Sequence, residues 1–377
     1  MKFPSFELER IQSLYENSVF VNLTESGIEP LSLKELMNDE ELAELVNLPL
    51  GYGYTKGHPL LRQRISNFYR NYSEDNILVT SGSAEAIFLS ALLTVSKGDR
   101  VAMMTPNYLS FNGIAEALGA EIDYIPLQKE EKWNWDLDLL DKSISRKTKV
   151  ISICNPNNPT GSILNKDEKN KIVELAHSVN AFIHSDEVYI GSELKKEDTI
   201  SFQDIYDKTI ITSGLSKSYS NPGIRIGWIA AKEELVEKSW ALKDYTTIAS
   251  SNLSQQIAMK VLEQETILKL RKRNKKILNS NLNTFSKWVL PYSNHLSFID
   301  PEAGGFVFVE YDMKINSTEL IHDLRTNEGV FIVPGDSFGI DNFFRIGLGS
   351  KPKEFKEGLR LLSKGLSRIF PDTFTQF

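Results

Sequence analysis

The sequence predicts an α/β protein with a largely parallel sheet between helices, followed by a smaller α+β part. Three observations carry that expectation. Between about residues 76 and 230, short β-branched apolar runs alternate with amphipathic stretches. Buried parallel strands separated by covering helices have this pattern. From about 231 the pattern turns long and helical, with no proline until Pro291, and strand signals then return. At 377 residues the chain also exceeds what one core usually holds, so two domains are expected.

The elements follow in chain order. NILVTSG (76–82) reads as a strand and turn, and SAEAIFLSALLTVS (83–96) as the helix after it. DRVAMMTP (99–106) is a strand, NYLSFNGIAEALGA (107–120) a helix and EIDYIPL (121–127) a strand. KVISICNPNNPTG (149–161) is a strand that ends in a proline-rich turn, and KDEKNKIVELAHSVN (166–180) is a helix. AFIHSDEVY (181–189) and KTIITSGLSK (208–217) are further apolar strands. In the last part, GGFVFVEYD (304–312), VFIVPG (330–335) and FFRIGLG (343–349) read as strands. STELIHDLRTNEG (317–329) is helical, and KEFKEGLRLLSKGLSRIF (353–370) is a closing amphipathic helix. No repeat or low-complexity tract interrupts this order.

Composition narrows the function. Hydrophobic residues make up 41% and charged residues 25%, as in an ordinary globular chain. A net charge of −7 argues against a general nucleic-acid binder. The basic run KLRKRNKK (269–276) is therefore read as a solvated helix face. The single cysteine, Cys154, excludes an internal disulfide framework and fits a reducing compartment. The N-terminal stretch lacks a signal-peptide core, and no window approaches 18 uninterrupted apolar residues, so a cytoplasmic protein with no membrane span is expected. Five histidines and one cysteine make a zinc site improbable, and no metal is expected.

In such sheets ligands bind beyond the carboxyl ends of the strands. The polar and glycine-rich signals SGSAE, TPNY, NPNNPTG, SDEVY and GLSK all lie at those ends. Lys217 stands among small residues, Gly214, Ser216, Ser218 and Ser220, that leave room for a flat ring. A partly desolvated amine is a nucleophile towards a carbonyl. Eight positions on, Arg225 offers a fork suited to phosphate, and Gly223 and Gly227 let backbone approach a ligand. Asp186 either caps the next helix or keeps a pyridine nitrogen protonated. Tyr189 can donate to a ring oxygen, while the adjacent His184 is read as structural. NPNNPTG is a rigid turn that can also fix the Asn158 amide at the strand ends. Gly82 opens a helix whose first N–H groups, at Ser83 and Ala84, can cradle a phosphate. Tyr108 is placed to stack on a flat ring or to fill the core. Arg345, among apolar residues and glycines, needs an anion, either an internal carboxylate or that of a substrate.

At these residues the sequence resembles the class I/II aminotransferases, the pyridoxal-phosphate enzymes of fold type I. NPNNPTG, SDEVY and SKSYSNPGIRIGW resemble the family signatures, and the spacings agree: Asn158 to Asp186 is 28 positions, Asp186 to Tyr189 is 3, Lys217 to Arg225 is 8 and Arg225 to Arg345 is 120. The resemblance covers nearly the whole chain. It implies a large domain over 48–285 with a mostly parallel seven-stranded sheet between helices. It also implies a small domain built from 1–47 and 286–377.

The implied chemistry is transfer of an amino group between an L-amino acid and a 2-oxo acid. By resemblance, Lys217 forms the internal aldimine with pyridoxal 5'-phosphate and shuttles the proton. Asp186 pairs with the ring nitrogen, Asn158 and Tyr189 bond the phenolate oxygen, and Tyr108 stacks on the ring. Ser83, Ala84, Ser216 and Arg225 serve the phosphate. Arg345 clamps the substrate α-carboxylate with help from Asn158 and the Gly27 backbone. Tyr52 reaches the phosphate of a neighbouring subunit, which implies a homodimer with shared sites. One departure stands out: many members carry a hydroxyl residue where this chain has Gly214, with Ser213 one position earlier. GYGYTKG (51–57) lacks the glycine spacing of a dinucleotide loop.

Two rivals remain at this level. NLTESGIEPLSLKEL and LGYGYTKGHPLLRQRI are similar to a capreomycidine-synthase-like branch, so a cyclase, lyase or oxidase acting on an arginine-like amino acid would use the same constellation. A regulatory protein that keeps the fold without turnover is disfavoured, because the lysine and both arginines are present and the chain begins almost directly with the family-like segment.

Overall fold

The structure, a computed structural model, describes residues 2–195 and 198–374. Its strands are β1 (Val21–Asn22), β2 (Ile77–Thr80), β3 (Arg100–Thr105), β4 (Glu121–Gln128), β5 (Asn134–Trp135), β6 (Thr148–Cys154) and β7 (Phe182–Asp186). There follow β8 (Thr209–Gly214), β9 (Gly227–Ala230), β10 (Leu296–Phe298), β11 (Phe306–Tyr311), β12 (Val330–Phe331), β13 (Val333–Pro334) and β14 (Phe343–Gly347).

The large sheet runs β2-β9-β8-β7-β6-β3-β4-β5. Neighbours from β8 to β4 are parallel, whereas β9 is antiparallel to both β2 and β8. The apolar runs are continuous because both faces are covered: every residue of β2, β8 and β9 is buried. The sheet has eight strands where seven were expected. The extra one is β5, two residues on the β4 edge, in register Leu127↔Trp135. Two residues carry no periodicity to read, and β5 is fixed by burial of Trp135, whose Nε1–H donates to the Ile125 carbonyl at 3.2 Å.

A second sheet, β10-β11-β14-β13, is antiparallel throughout. The VFIVPG run splits at Ile332: β12 pairs in parallel with β1, and β13 pairs with β14. Val21, Leu23 and Ile28 of the N-terminal segment share a core with Phe285, Val307 and Leu362, whereas Leu36 packs with Leu61, Ile77 and Trp228 against the large sheet. The segment thus touches both cores.

Of the helices, α1 (Glu7–Tyr15), α2 (Leu33–Leu36), α3 (Asp39–Val46) and α4 (Pro59–Ser66) precede the large sheet. Within it lie α5 (Ser83–Thr94), α6 (Ser110–Leu118), α7 (Leu137–Ser143) and α8 (Lys166–Val179). The long helical region resolves into α9 (Glu233–Lys243), α10 (Asn252–Val261) and α11 (Gln264–Val289). Asn165 and Glu168 close α8 at its start as a capping box, and Asn180, at φ 59°, ends it. The run KLRKRNKK lies on α11, where Leu270 and Asn274 face inward and Arg271 pairs with Asp198. After α12 (Ser317–Asp323) comes a π turn over Leu324–Glu328, and α13 (Pro352–Ile369) is the last described helix, with Phe355, Leu359, Leu362 and Leu366 buried along one face. Among the described residues, no helix is long and apolar enough to cross a membrane.

Candidate active site

The carboxyl ends of β6, β7 and β8 deliver Asn158, Asp186 and Lys217 to one cleft, which Ser83, Tyr108, Tyr189 and Arg345 also line. Larger clefts exist elsewhere on the surface, but none of them brings a lysine, a buried aspartate and a buried arginine together in this way.

Asp186 ends β7 and is buried. Burial pushes its pKa from 3.8 to about 7, against the lowering effect of hydrogen bonds from Val188 N–H and the Thr212 hydroxyl. The Thr212 hydroxyl also meets His184 Nε2 at 3.2 Å, and His184 Nδ1 meets the Ser152 hydroxyl at 3.0 Å. The imidazole stacks on Phe111, and burial holds its pKa down at about 3. His184 is therefore a neutral support behind Asp186, as the sequence suggested.

Beside Asp186 is the start of α5. Gly82, its N-cap at φ +85°, holds a backbone conformation that a side chain would strain. Gly227 touches it so closely that a Cβ would lie 2.4 Å from Gly82 C and Ser83 N. The Arg225 guanidinium sits against Gly82 and donates to Ser216 Oγ at 3.3 Å and to the Pro222 carbonyl at 3.0 Å. Among the described residues, no carboxylate forms a salt bridge with Arg225. Ser83 and the exposed Ala84 present free N–H groups and the positive end of the helix dipole to the same place. Ser213 does not stand in for the hydroxyl missing at Gly214, because its Oγ is turned away to the Glu187 carbonyl at 3.2 Å. A Cβ on Gly214 would point towards Ser83 N, 3.6 Å away, and 3.0 Å from the Ile226 carbonyl.

Arg345, from β14, is 1% exposed. It donates to Asn158 Oδ1 at 2.7 Å and to the Thr24 carbonyl at 2.5 Å, while its Nε has no partner among the described residues. Burial lowers its pKa, yet no described carboxylate forms a salt bridge with it. Among the described residues, no internal carboxylate is paired with it directly. Lys217 Nζ, by contrast, pairs with Glu25 at 2.6 Å.

Several side chains make contacts other than those expected. The Tyr189 hydroxyl donates to Ser26 Oγ at 2.8 Å, and burial raises its pKa. The Gly27 N–H, expected to face a substrate carboxylate, donates to Glu25 Oε1 at 2.8 Å. The Tyr108 ring lies edge-on to Phe6, and its hydroxyl donates to Glu9. Tyr52 lies outside the cleft, 78% exposed, in a surface depression with Leu50, Ser250 and Asn252. Glu9, Gln12, Ser26 and Val188 line the cleft but were not singled out in the sequence. Glu25 was legible only as an acid set between small residues.

These features fit a phosphorylated pyridine aldehyde. The Gly227 backbone crowds the start of α5, the Arg225 guanidinium lies against Gly82 with no carboxylate partner among the described residues, a buried carboxylate faces the same cleft, and an amine lies within it.

Comparison with known proteins agrees with the site. The family model described as aminotransferase class I and II matches residues 22–362. The (5-formylfuran-3-yl)methyl phosphate transaminase of Methanocaldococcus jannaschii is 27% identical, over 98% of each chain. The capreomycidine synthase of Streptomyces vinaceus is 27% identical, over 86% of this chain and 82% of its own. A crystal structure of a PLP-dependent aminotransferase from Streptococcus suis 89-1591 superposes with a TM-score of 0.92 at 32% identity, covering 98% of this chain and 99% of that one. With this fold, these motifs and a family match across most of its length, the chain belongs to the class I and II aminotransferases.

Proposed function

We propose that this protein is a pyridoxal-phosphate-dependent aminotransferase that moves an amino group between an L-amino acid and a 2-oxo acid. The observation that carries the proposal is a single cleft holding Lys217, buried Asp186 and buried Arg345, beside a phosphate cradle at the start of α5. When bound, the cofactor supplies an aldehyde for the substrate amine and a ring that spreads the charge left at the substrate Cα. Lys217 anchors it and moves the proton at Cα. Asp186 keeps the ring nitrogen protonated, Asn158 and Tyr189 reach the ring oxygen, and Tyr108 covers the ring. Ser83, Ala84, Ser216 and Arg225 hold the phosphate. Arg345 holds the substrate carboxylate, oriented by Asn158, with the Gly27 backbone beside it.

A homodimer with Tyr52 reaching the phosphate of the partner subunit is part of the same proposal. Its support is the exposure of the apolar residues Val46, Leu50, Tyr52, Tyr54 and Tyr245. The division into a large domain over 48–285 and a small domain over 1–47 and 286–377 is supported by the separate eight-stranded and four-stranded sheets. Leu36, however, packs on the large-sheet side. A role in amino-acid metabolism in the cytoplasm fits the single buried cysteine.

The test is a half-reaction screen in which the loaded enzyme is mixed with single amino acids. Absorbance would report conversion of the cofactor to its amine form, and 2-oxo acid would be measured. Lys217→Ala should lose both the visible absorption of the lysine-bound cofactor and turnover. A fully active alanine variant overturns the proposal.

A further inference from the structure

Glu25 is a carboxylate at a point where the chemistry above gives no role to one. Its Oε1 lies 2.6 Å from Lys217 Nζ and accepts the Gly27 N–H at 2.8 Å. Gly27 makes room for this pair, since a Cβ there would stand 3.2 Å from both Glu25 Oε1 and the Ser216 carbonyl oxygen. The Lys217 ammonium, aided by the Gly27 N–H, holds the Glu25 pKa down at about 2. The side chain is nevertheless 53% exposed, so it can meet an incoming molecule.

Lys217 cannot remain this partner during the proposed chemistry. Once its nitrogen is committed to anchoring the cofactor, or stands as the neutral base that takes a proton, Glu25 has no lysine ammonium beside it. Two further acids lie near Glu25. Glu9 lines the cleft and holds the Tyr108 hydroxyl at 2.7 Å. Glu16 lies close enough to both that burial and their charge raise its pKa.

A buried cation shares the cleft with Glu9. Arg345, buried in the same cleft, has an Nε with no partner among the described residues and no described salt bridge. It is fixed through the carbonyl of Thr24, the residue directly before Glu25. The cleft thus sets a buried cation for an α-carboxylate next to an acidic rim. An amino acid with a neutral side chain satisfies only the arginine. A dicarboxylic amino acid would bring a second negative charge towards Glu9 and Glu25. A side chain ending in a cation satisfies both.

We propose that Glu25, with Glu9 beside it, selects amino-acid substrates whose side chain ends in an amine or guanidinium. This rests on the aminotransferase reading and names its substrate class.

The test uses substrates matched in shape but not in charge: L-arginine against L-citrulline, and L-lysine against L-norleucine. With the loaded wild-type enzyme, kcat/KM should favour each cation by about two- to fivefold, the range of a partly exposed charge pair. Glu25→Gln should bring that ratio close to one, chiefly through KM, whereas a merely misfolded variant would lose activity on both members equally. Calorimetric binding to the loaded Lys217→Ala protein, with and without Glu25→Gln, should give the same ratios in Kd. Equal handling of arginine and citrulline by the wild type overturns the inference, and so does a ratio unmoved by Glu25→Gln. If no amino acid is turned over, it is the aminotransferase reading that fails. The calorimetric ratios then judge Glu25 separately.

Discussion

Replacing Asp186 by asparagine should change how the stability of the cofactor-free protein depends on pH. Asp186 is 6% exposed, and burial raises its pKa from 3.8 to about 7. A carboxyl whose folded pKa lies above its unfolded value keeps a proton in the native state that the unfolded chain has already released. Its contribution to stability is therefore fully present at low pH and is lost as pH rises from about 4 to about 7. At about 1.4 kcal/mol per pH unit, the climb from about pH 5 to about pH 7 removes on the order of 3 kcal/mol. Buried Glu187 is raised in the same direction, so the comparison with the variant isolates Asp186. Asparagine keeps the shape and the acceptor for the Val188 N–H, which Asp186 now accepts at 3.3 Å. The assay is urea unfolding of both cofactor-free proteins at about pH 5 and about pH 8. The wild type should lose about 3 kcal/mol more than Asp186→Asn across that interval. With pyridoxal phosphate bound, a protonated ring nitrogen beside Asp186 favours its ionised form, and most of the loss should disappear. Identical pH dependence in the two cofactor-free proteins would refute the reasoning. A pH dependence undiminished by the cofactor would refute the pairing.

The other expectations concern the two ends of the ligand. Arg345→Ala removes the buried cation and strips donors from Asn158 Oδ1 and the Thr24 carbonyl. It should lower kcat/KM by about 100-fold or more, mainly through KM, as loss of a buried charged hydrogen-bond partner does. Steady-state kinetics check this, and an unchanged KM would remove Arg345 from the carboxylate role. Gly227→Ala would drive a Cβ to 2.4 Å from the backbone of Gly82 and Ser83. Backbone cannot step aside as a flexible side chain can, so a loss of about 1–3 kcal/mol is expected together with weaker cofactor binding. Thermal melts and cofactor titration measure the two effects, and wild-type cofactor affinity in the variant would argue against the cradle at α5.

Much of the fold could be read from the chain because burial on both faces leaves a local mark. The continuous apolar runs of β6, β7 and β8 and the spaced apolar residues of α13 are such marks. The eighth strand escaped because β5 is two residues long and is held by the contacts of Trp135. The VFIVPG run looked like one strand, and only its two different partners, β1 and β14, divide it.

For the site, the sequence by itself determined which groups are supplied. Lys217 and Arg225 stand eight positions apart in one short segment, and Asn158, Asp186 and Tyr189 lie in short segments at strand ends, so local spacing and the family resemblance brought them forward as candidates. The tertiary structure decided whom they meet. Glu25 reaches Lys217 across 192 positions, Tyr189 reaches Ser26 across 163, and Arg345 reaches the Thr24 carbonyl across 321. Each of these contacts joins the N-terminal segment to a different part of the chain. Electrostatics acts through space rather than along the sequence, so the charge that borders the cleft emerges only once the segment carrying Thr24 to Gly27 is folded over it.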